Sequence, residues 1–191
     1  GMVLTNNPDL YEKLRLYRSH GITRDPNLMS RNDGSWYYEQ IDLGYNYRVT
    51  DMQAALGTSQ MKRLPEFLQR RRYLAKRYNE LLADLPLILP YQMESVNSSW
   101  HLYVAGFRED ASLTKKERLF QEMKKHGITL NMHYIPVHLQ PYYQNMGFVH
   151  GDFPVSEAYY EQAFTLPLYY GLSDEEQEAV VEALRDSLSG I

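Results

Sequence analysis

The side chains best placed for chemistry are Asn46 and Arg48, just ahead of Thr50 in the run IDLGYNYRVTDMQAALGTSQMKR, residues 41–63. An amide and a guanidinium beside the free N–H groups of a helix start form a donor set suited to an anion such as a phosphate. The competing reading is a surface ion pair between Arg48 and Asp42 or Asp51. A second candidate group is His133 and His138, which flank Tyr134, Ile135 and Pro136. Pro136 argues against a helix between them, and no third histidine or carboxylate stands close in sequence, so no metal site is expected.

The elements that must position these groups follow from local signals. Thr50 and Gln53 form a T-x-x-Q capping box, with Asp51 at the positive end of the helix dipole, so a helix is expected to begin at Thr50. Gly44 is read as the residue that lets the preceding loop turn. Pro65 should kink or restart the helix, and the segment to about Asp84 carries an apolar stripe (Phe67, Leu68, Leu74, Tyr78, Leu81, Leu82) opposite a basic run of Arg70, Arg71, Arg72, Lys76 and Arg77. That run reads as a solvated face.

Upstream, Met2–Thr5 is predicted as a short buried strand. Asn7 and Pro8 open a helix to about His20, with Gly21 as its left-handed C-cap. Residues 22–40 lack periodicity and read as a long loop ending in Trp36, Tyr37 and Tyr38, either a lid or a loop pinned by its rings. Downstream, residues 87–99 are extended and loop-like, and residues 100–107 read as a strand. Thr114 and Glu117 form a capping box for a helix to His126–Gly127, and residues 128–133 form another strand. Pro154 opens a helix to about Phe164, and Ser173 with Glu176 caps the last one. The succession describes a compact α/β arrangement.

Composition narrows the function. The 191 residues, 43% of them hydrophobic, suffice for a core. Seventeen tyrosines against six phenylalanines favour half-polar surfaces of the kind found at interfaces and ligand clefts. The absence of cysteine excludes disulfides and thiolate metal sites and suits a cytoplasmic location. A formal charge of −4 gives no electrostatic case for nucleic acid, and no apolar run is long enough to span a membrane.

The run LGYNYRVTDMQAALGTSQMKRL, continued by RRRYLAKRYNELL, closely resembles the DegT/DnrJ/EryC1/StrS family of sugar-nucleotide aminotransferases, fold type I enzymes dependent on pyridoxal 5'-phosphate. RLYRSHGITRDP, WYYEQIDLGYNYR and NMHYIPVHLQPYYQ resemble one branch more narrowly, the UDP-4-amino-4,6-dideoxy-N-acetyl-β-L-altrosamine transaminases of pseudaminic acid biosynthesis. The resemblance covers nearly all of this chain but only the family's second half. It implies the end of a cofactor-binding large domain (residues 1–63) followed by a small C-terminal α/β domain (64–191). It implies a homodimer in which Asn46, with Arg48 beside it, reaches the neighbouring subunit's cofactor phosphate or substrate, and in which Asn131, Met132, His133 and Tyr134 line the nucleotide-sugar site. The loop of residues 22–40 then leads toward that cleft.

The implied reaction moves an amino group from L-glutamate to C4 of a UDP-linked 4-keto-6-deoxy-N-acetylhexosamine. Two alternatives stand beside it: a relative acting on another ketosugar or at C3, and a non-catalytic dimerisation or nucleotide-sugar-binding module. Fold type I transamination needs a lysine that bonds the cofactor and an acid that keeps its pyridine nitrogen protonated. In the family both precede the strand expected at Met2–Thr5, and Gly1 is read as the end of the glycine-rich segment between or as a tag remnant. Lys13, Lys62, Lys76, Lys115, Lys116, Lys124 and Lys125 all stand in polar helical contexts, and none matches that position. The chain is therefore expected to be inactive alone and, with apolar faces unpartnered, to self-associate.

Overall fold

The computed structural model describes residues 2–190, which leaves Gly1 and Ile191 outside. The chain divides into two units, residues 1–62 and 63–191. Among the described residues, no helix is long and apolar enough to cross a membrane.

In the first unit, Asn7 caps helix α1 (Pro8–Tyr17), its side-chain oxygen accepting from the amides of Asp9 and Leu10. The helix ends at Tyr17, short of the expected His20, because the chain then enters the left-handed region at two consecutive residues, His20 (φ 65°) and Gly21 (φ 69°). The loop after it is not structureless. Ile22–Thr23 (β1) pairs antiparallel with Glu39–Gln40 (β2). Between them the Glu39 carboxylate accepts from the Ser30 amide (2.7 Å), the Ser30 hydroxyl (2.7 Å), the Arg31 amide (3.2 Å) and the Tyr37 hydroxyl (2.9 Å). With the Ser30 donors contributing most, these bonds hold its pKa down to about 2. Trp36 and Tyr38 remain exposed, so one carboxylate pins this loop rather than its rings.

Met2–Thr5 forms no strand: Met2, Val3 and Leu4 are exposed and meet no partner strand among the described residues. The capping box at Thr50 does form. The Gln53 amide donates to the Thr50 hydroxyl at 3.3 Å and the Thr50 amide to the Gln53 side chain at 3.0 Å. Helix α2 (Asp51–Leu81) then runs through Pro65 without interruption.

The second unit holds the core. Leu87–Ile88 (β3), Tyr103–Phe107 (β4) and Ala163–Leu166 (β5) form an antiparallel sheet in the order β3-β4-β5, with Leu87 opposite Phe107 and Ala105 opposite Phe164. β5 is buried along its whole length, so its residues do not alternate between a buried and an exposed face. Packed with the sheet are Leu74 and Tyr78 of α2, Leu82 just past its end, Leu119 and Met123 of α3 (Leu113–Lys125), and Val180, Val181 and Leu184 of α6 (Asp174–Ser189). Burial of such a set is the dominant favourable contribution to folding.

Three expectations change here. The strand foreseen from Trp100 begins only at Tyr103, because Trp100 adopts φ 50° and turns the carbonyls of Trp100 and His101 toward Arg71. Helix α3 is capped by Ser112, whose hydroxyl accepts from the Lys115 amide, so Thr114 and Glu117 lie inside it. Residues 128–133 make only a single bridge, Asn131 to Thr165, instead of a strand. The Ser173–Glu176 capping box forms as read.

The basic run is not a solvated face. Arg71 donates to the carbonyls of Trp100 (2.9 Å), His101 (3.1 Å) and Leu168 (3.2 Å), Arg72 to that of Ser98 (3.0 Å), and Arg77 to the Asp174 carbonyl and the Gln177 side chain, both at 3.1 Å. Arg70 pairs with Asp174 at 2.9 Å. Planar guanidinium forks reach several carbonyls at once, so these arginines bind the helix to loops that offer no strand partners. Only Lys76 of the run is solvated.

Candidate active-site segments

The Asn46 segment is built by close backbone approach. A Cβ on Gly44 would lie 2.1 Å from the Gly21 amide nitrogen, and one on Gly21 would lie 1.9 Å from the Asp42 carbonyl oxygen. Gly44 thus serves contact rather than turning, since its φ is not left-handed. This contact lets the following residues run extended beside the end of α1. The Tyr45 amide donates to the Tyr17 carbonyl (2.6 Å), the His20 amide to the Tyr45 carbonyl (2.8 Å) and the Tyr47 amide to the Arg18 carbonyl (2.9 Å). Alternation in an extended chain then sorts the side chains: Tyr45 and Tyr47 stack with ring centroids 5.1 Å apart, and Asn46 and Arg48 take the alternate positions.

The structure brings Asn46 and Arg48 together, the Arg48 Nε donating to Asn46 Oδ1 at 3.2 Å. Neither Asp42 nor Asp51 pairs with Arg48. Asp42 accepts from the Tyr17 hydroxyl (2.8 Å) and the Leu43 amide (2.7 Å), which hold its carboxyl below the usual range and, through the shared bond, raise the Tyr17 phenol. Arg48 keeps its terminal guanidinium donors and Asn46 its amide N–H groups on an exposed surface. That donor set fits a phosphate, and it fits only the phosphate end of a larger cofactor.

In the second unit, Asn131 exchanges both backbone hydrogen bonds with Thr165 of β5 (3.3 and 2.8 Å), and its side-chain oxygen accepts from the Met132 amide at 2.8 Å. The next residues project from that anchor. His133 Nδ1 lies 2.9 Å from the Thr165 hydroxyl, and its ring meets Tyr134 edge-to-face at 4.7 Å. Tyr134 is 73% exposed. His133 Nε2 and the Tyr134 hydroxyl are therefore left to a solute, and both suit sugar hydroxyls or a diphosphate. Met132 is half-buried and contributes packing beside them.

His138 does not join His133. Its Nε2 lies 2.6 Å from Glu157 Oε1, both groups are buried, and Glu157 also accepts from the Gly151 amide (2.8 and 3.0 Å) and faces His150 at 3.3 Å. Burial raises the Glu157 pKa, but the bonds from His138 and Gly151 and the nearby His150 outweigh it, so the net shift is downward. Sequence reasoning missed Thr165 and Glu157. Thr165 was legible only as a hydroxyl inside an apolar strand, and Glu157 only as an early helix residue.

Lys116 departs from its expected polar setting. It is buried, its Nζ lies 4.0 Å from the Tyr160 ring centroid and donates to the Tyr160 carbonyl, and burial pushes its pKa down against the pull of Glu161.

The model of the DegT/DnrJ/EryC1/StrS aminotransferase family matches residues 1–185. The chain belongs to that family. Among its relatives is the spore coat polysaccharide biosynthesis protein SpsC of Bacillus subtilis, 37% identical over 193 residues, covering 100% of this chain and 50% of SpsC. Spr1654 of Streptococcus pneumoniae, assigned as a sugar aminotransferase, superposes in its apo form with a TM-score of 0.88 at 34% identity, over 98% of this chain and 46% of Spr1654. PseC of Helicobacter pylori, an aminotransferase involved in pseudaminic acid biosynthesis, gives a TM-score of 0.86 at 26% identity, over 98% of this chain and 48% of PseC. The chain thus spans about half the length of the relatives it matches. Family members depend on pyridoxal 5'-phosphate, and Spr1654 has been solved in its pyridoxal and pyridoxamine phosphate forms. The fold is that of a PLP-dependent aminotransferase, mixing helix and sheet as the C-terminal part of such an enzyme does.

Proposed function

We propose that this chain is the C-terminal portion of a PLP-dependent nucleotide-sugar aminotransferase that transfers an amino group from L-glutamate to C4 of a UDP-4-keto-6-deoxy-N-acetylhexosamine. The observation that carries the substrate class is the half-buried His133, anchored on Thr165, beside the exposed Tyr134, in a chain that superposes on PseC over nearly its whole length. In this reading Asn131, Met132, His133 and Tyr134 hold the nucleotide sugar, with the His133 and Tyr134 polar atoms on its hydroxyls or diphosphate. Asn46 and Arg48 hold the cofactor phosphate of a partner subunit in a cytoplasmic homodimer, and Asn46 also reaches that subunit's substrate. When bound, pyridoxal phosphate supplies an electron sink that carries the amino group from donor to acceptor.

Two observations favour narrower alternatives. SpsC and Spr1654 are more similar in sequence than PseC, which favours a relative acting on another ketosugar or at C3. The buried Lys116 is bonded within its own unit, and Lys76 and Lys125 are paired with Glu80 and Glu122, which favours a non-catalytic binding or dimerisation module.

The test is calorimetric titration of the chain with UDP-N-acetylglucosamine, alongside incubation with pyridoxal phosphate, borohydride reduction and peptide mapping. Saturable binding weakened by Tyr134→Phe, with no specific pyridoxyl-lysine adduct, is expected. A single modified lysine together with glutamate-dependent loss of cofactor absorbance would show a catalytic site in this chain. Absence of sugar-nucleotide binding would overturn the substrate assignment.

A further inference from the structure

The residues between Asn131 and His138 form an arc clamped at both ends to one continuous piece of chain. Helix α5 (Pro154–Gln162) passes directly into β5, with Ala163 serving both as the helix cap and as the first strand residue. Thr165, in β5, holds Asn131 through two backbone bonds and His133 through its hydroxyl. Glu157, in α5, holds His138 at 2.6 Å. The 3-10 turn Val137–Leu139 follows Pro136, and Tyr134, Ile135 and Val137 are exposed along the arc. Pro136 is buried and the His138 ring packs on Phe153 with centroids 4.8 Å apart, but the arc has no other side-chain hydrogen bond to the rest of the unit among the described residues, so these two anchors are its polar tethers.

We infer that Glu157 is a positioning residue for the sugar-facing pair His133–Tyr134, acting through His138. Its chemistry suits the task. A carboxylate buried with an imidazole accepts a short, directional bond, and the Gly151 amide and His150 occupy its remaining lone pairs, so it has little freedom to turn. With the second clamp gone, Thr165 is the one polar tether left to the arc, and His133 and Tyr134 sample several poses. This inference rests on the proposed role of that pair in substrate binding, but the positioning itself can be read without substrate.

The experiment compares the full chain with Glu157→Gln, which preserves size and still accepts from Gly151, and with His138→Gln, which breaks the clamp from its other side. Imidazole nitrogen NMR reports His133 and amide exchange reports residues 132–139. Titration with UDP-N-acetylglucosamine reports affinity. Both variants are expected to speed exchange along the arc about tenfold and to move the His133 nitrogen signals toward tautomer averaging. They should also weaken the sugar nucleotide about tenfold, as loss of an outer supporting partner does. Exchange in α3 and β4 should stay unchanged. A merely structural Glu157 would lower the melting temperature and loosen residues 147–153 while leaving the His133 signals in place, and that result overturns the inference. If the wild-type chain binds no sugar nucleotide while His133 still responds to both variants, the substrate assignment fails and the clamp stands.

Discussion

Residues 2–62 and residues 63–190 are held together by different physics. In the first unit the only buried residue among those described is Gly21, and the fold rests on backbone pairing, on Glu39 gathering donors and on two glycines in contact. The second unit closes around Tyr78, Tyr103, Phe107 and Phe164 and is cross-tied by arginines. A segment can therefore be well shaped without being well buried. Here the phosphate-suited pair Asn46–Arg48 lies in the unit with no apolar core, whereas the sugar-suited pair His133–Tyr134 is anchored on a buried strand.

The sharpest way to break this contrast is to cut side chains in both units. Phe164→Ala should cost about 3–5 kcal/mol in the second unit, while Leu10→Ala on the exposed helix α1 should change stability by less than about 0.5 kcal/mol. Chemical denaturation followed by tyrosine and tryptophan fluorescence would measure both, and equal effects would mean that the first unit has a core after all. Arg71→Met comes next. It leaves the carbonyls of Trp100, His101 and Leu168 without their donor, and about 1–3 kcal/mol should be lost. Lys76→Met, which removes only an exposed ion pair with Glu80, should be nearly silent in the same assay.

Gly21→Ala probes the first unit on its own terms. The added Cβ meets the Asp42 carbonyl in a left-handed backbone, a strain of about 1–3 kcal/mol. Amide exchange at His20, Tyr45 and Tyr47 should accelerate while the amides of β4 and β5 keep their protection. Protection lost in both units would show that they unfold as one.

The smallest effect is a pH dependence. Glu157 has a folded pKa below its unfolded value. Its contribution is therefore complete above the ordinary carboxyl range, near about 4.3, and is lost as pH falls through the lower folded value. Its facing groups are His138, His150 and the Gly151 amide. The melting temperature should fall below about pH 4.5, and Glu157→Gln should flatten that slope. An unchanged slope would remove Glu157 from the acid-sensitive set.

The parts legible in the sequence were those governed by local rules. Asn7 with Pro8, Thr50 with Gln53 and Ser173 with Glu176 marked helix starts because capping needs only neighbours in the chain. Asn46 and Arg48 take alternate positions of an extended stretch ahead of a local cap and bond each other there. Local rules also erred, since Ser112 rather than Thr114 caps α3, but most of what failed depended on distant partners. Met2–Thr5 has strand-forming residues but no described strand to pair with, and residues 128–133 meet Thr165 at one bridge only. The arginines of α2 looked solvated because charge and helical spacing do not reveal loop carbonyls far along the chain. Glu157 was invisible for the same reason, since its importance lies in what folds back onto it.

Pro65 carries a consequence for how disorder can spread. Helix α2 continues through it, yet proline offers no amide to the carbonyl one turn earlier, that of Met61, close to where the two units divide. Helical order is passed along by successive hydrogen bonds, and here one link of the relay is missing. Fraying that starts at Asp51 can consume the exposed turns up to that gap without drawing on Leu74, Ala75 or Tyr78. By cooperativity the helix is two segments, so the stretch that follows Asn46 and Arg48 can loosen and re-form while the other end stays fixed in the core.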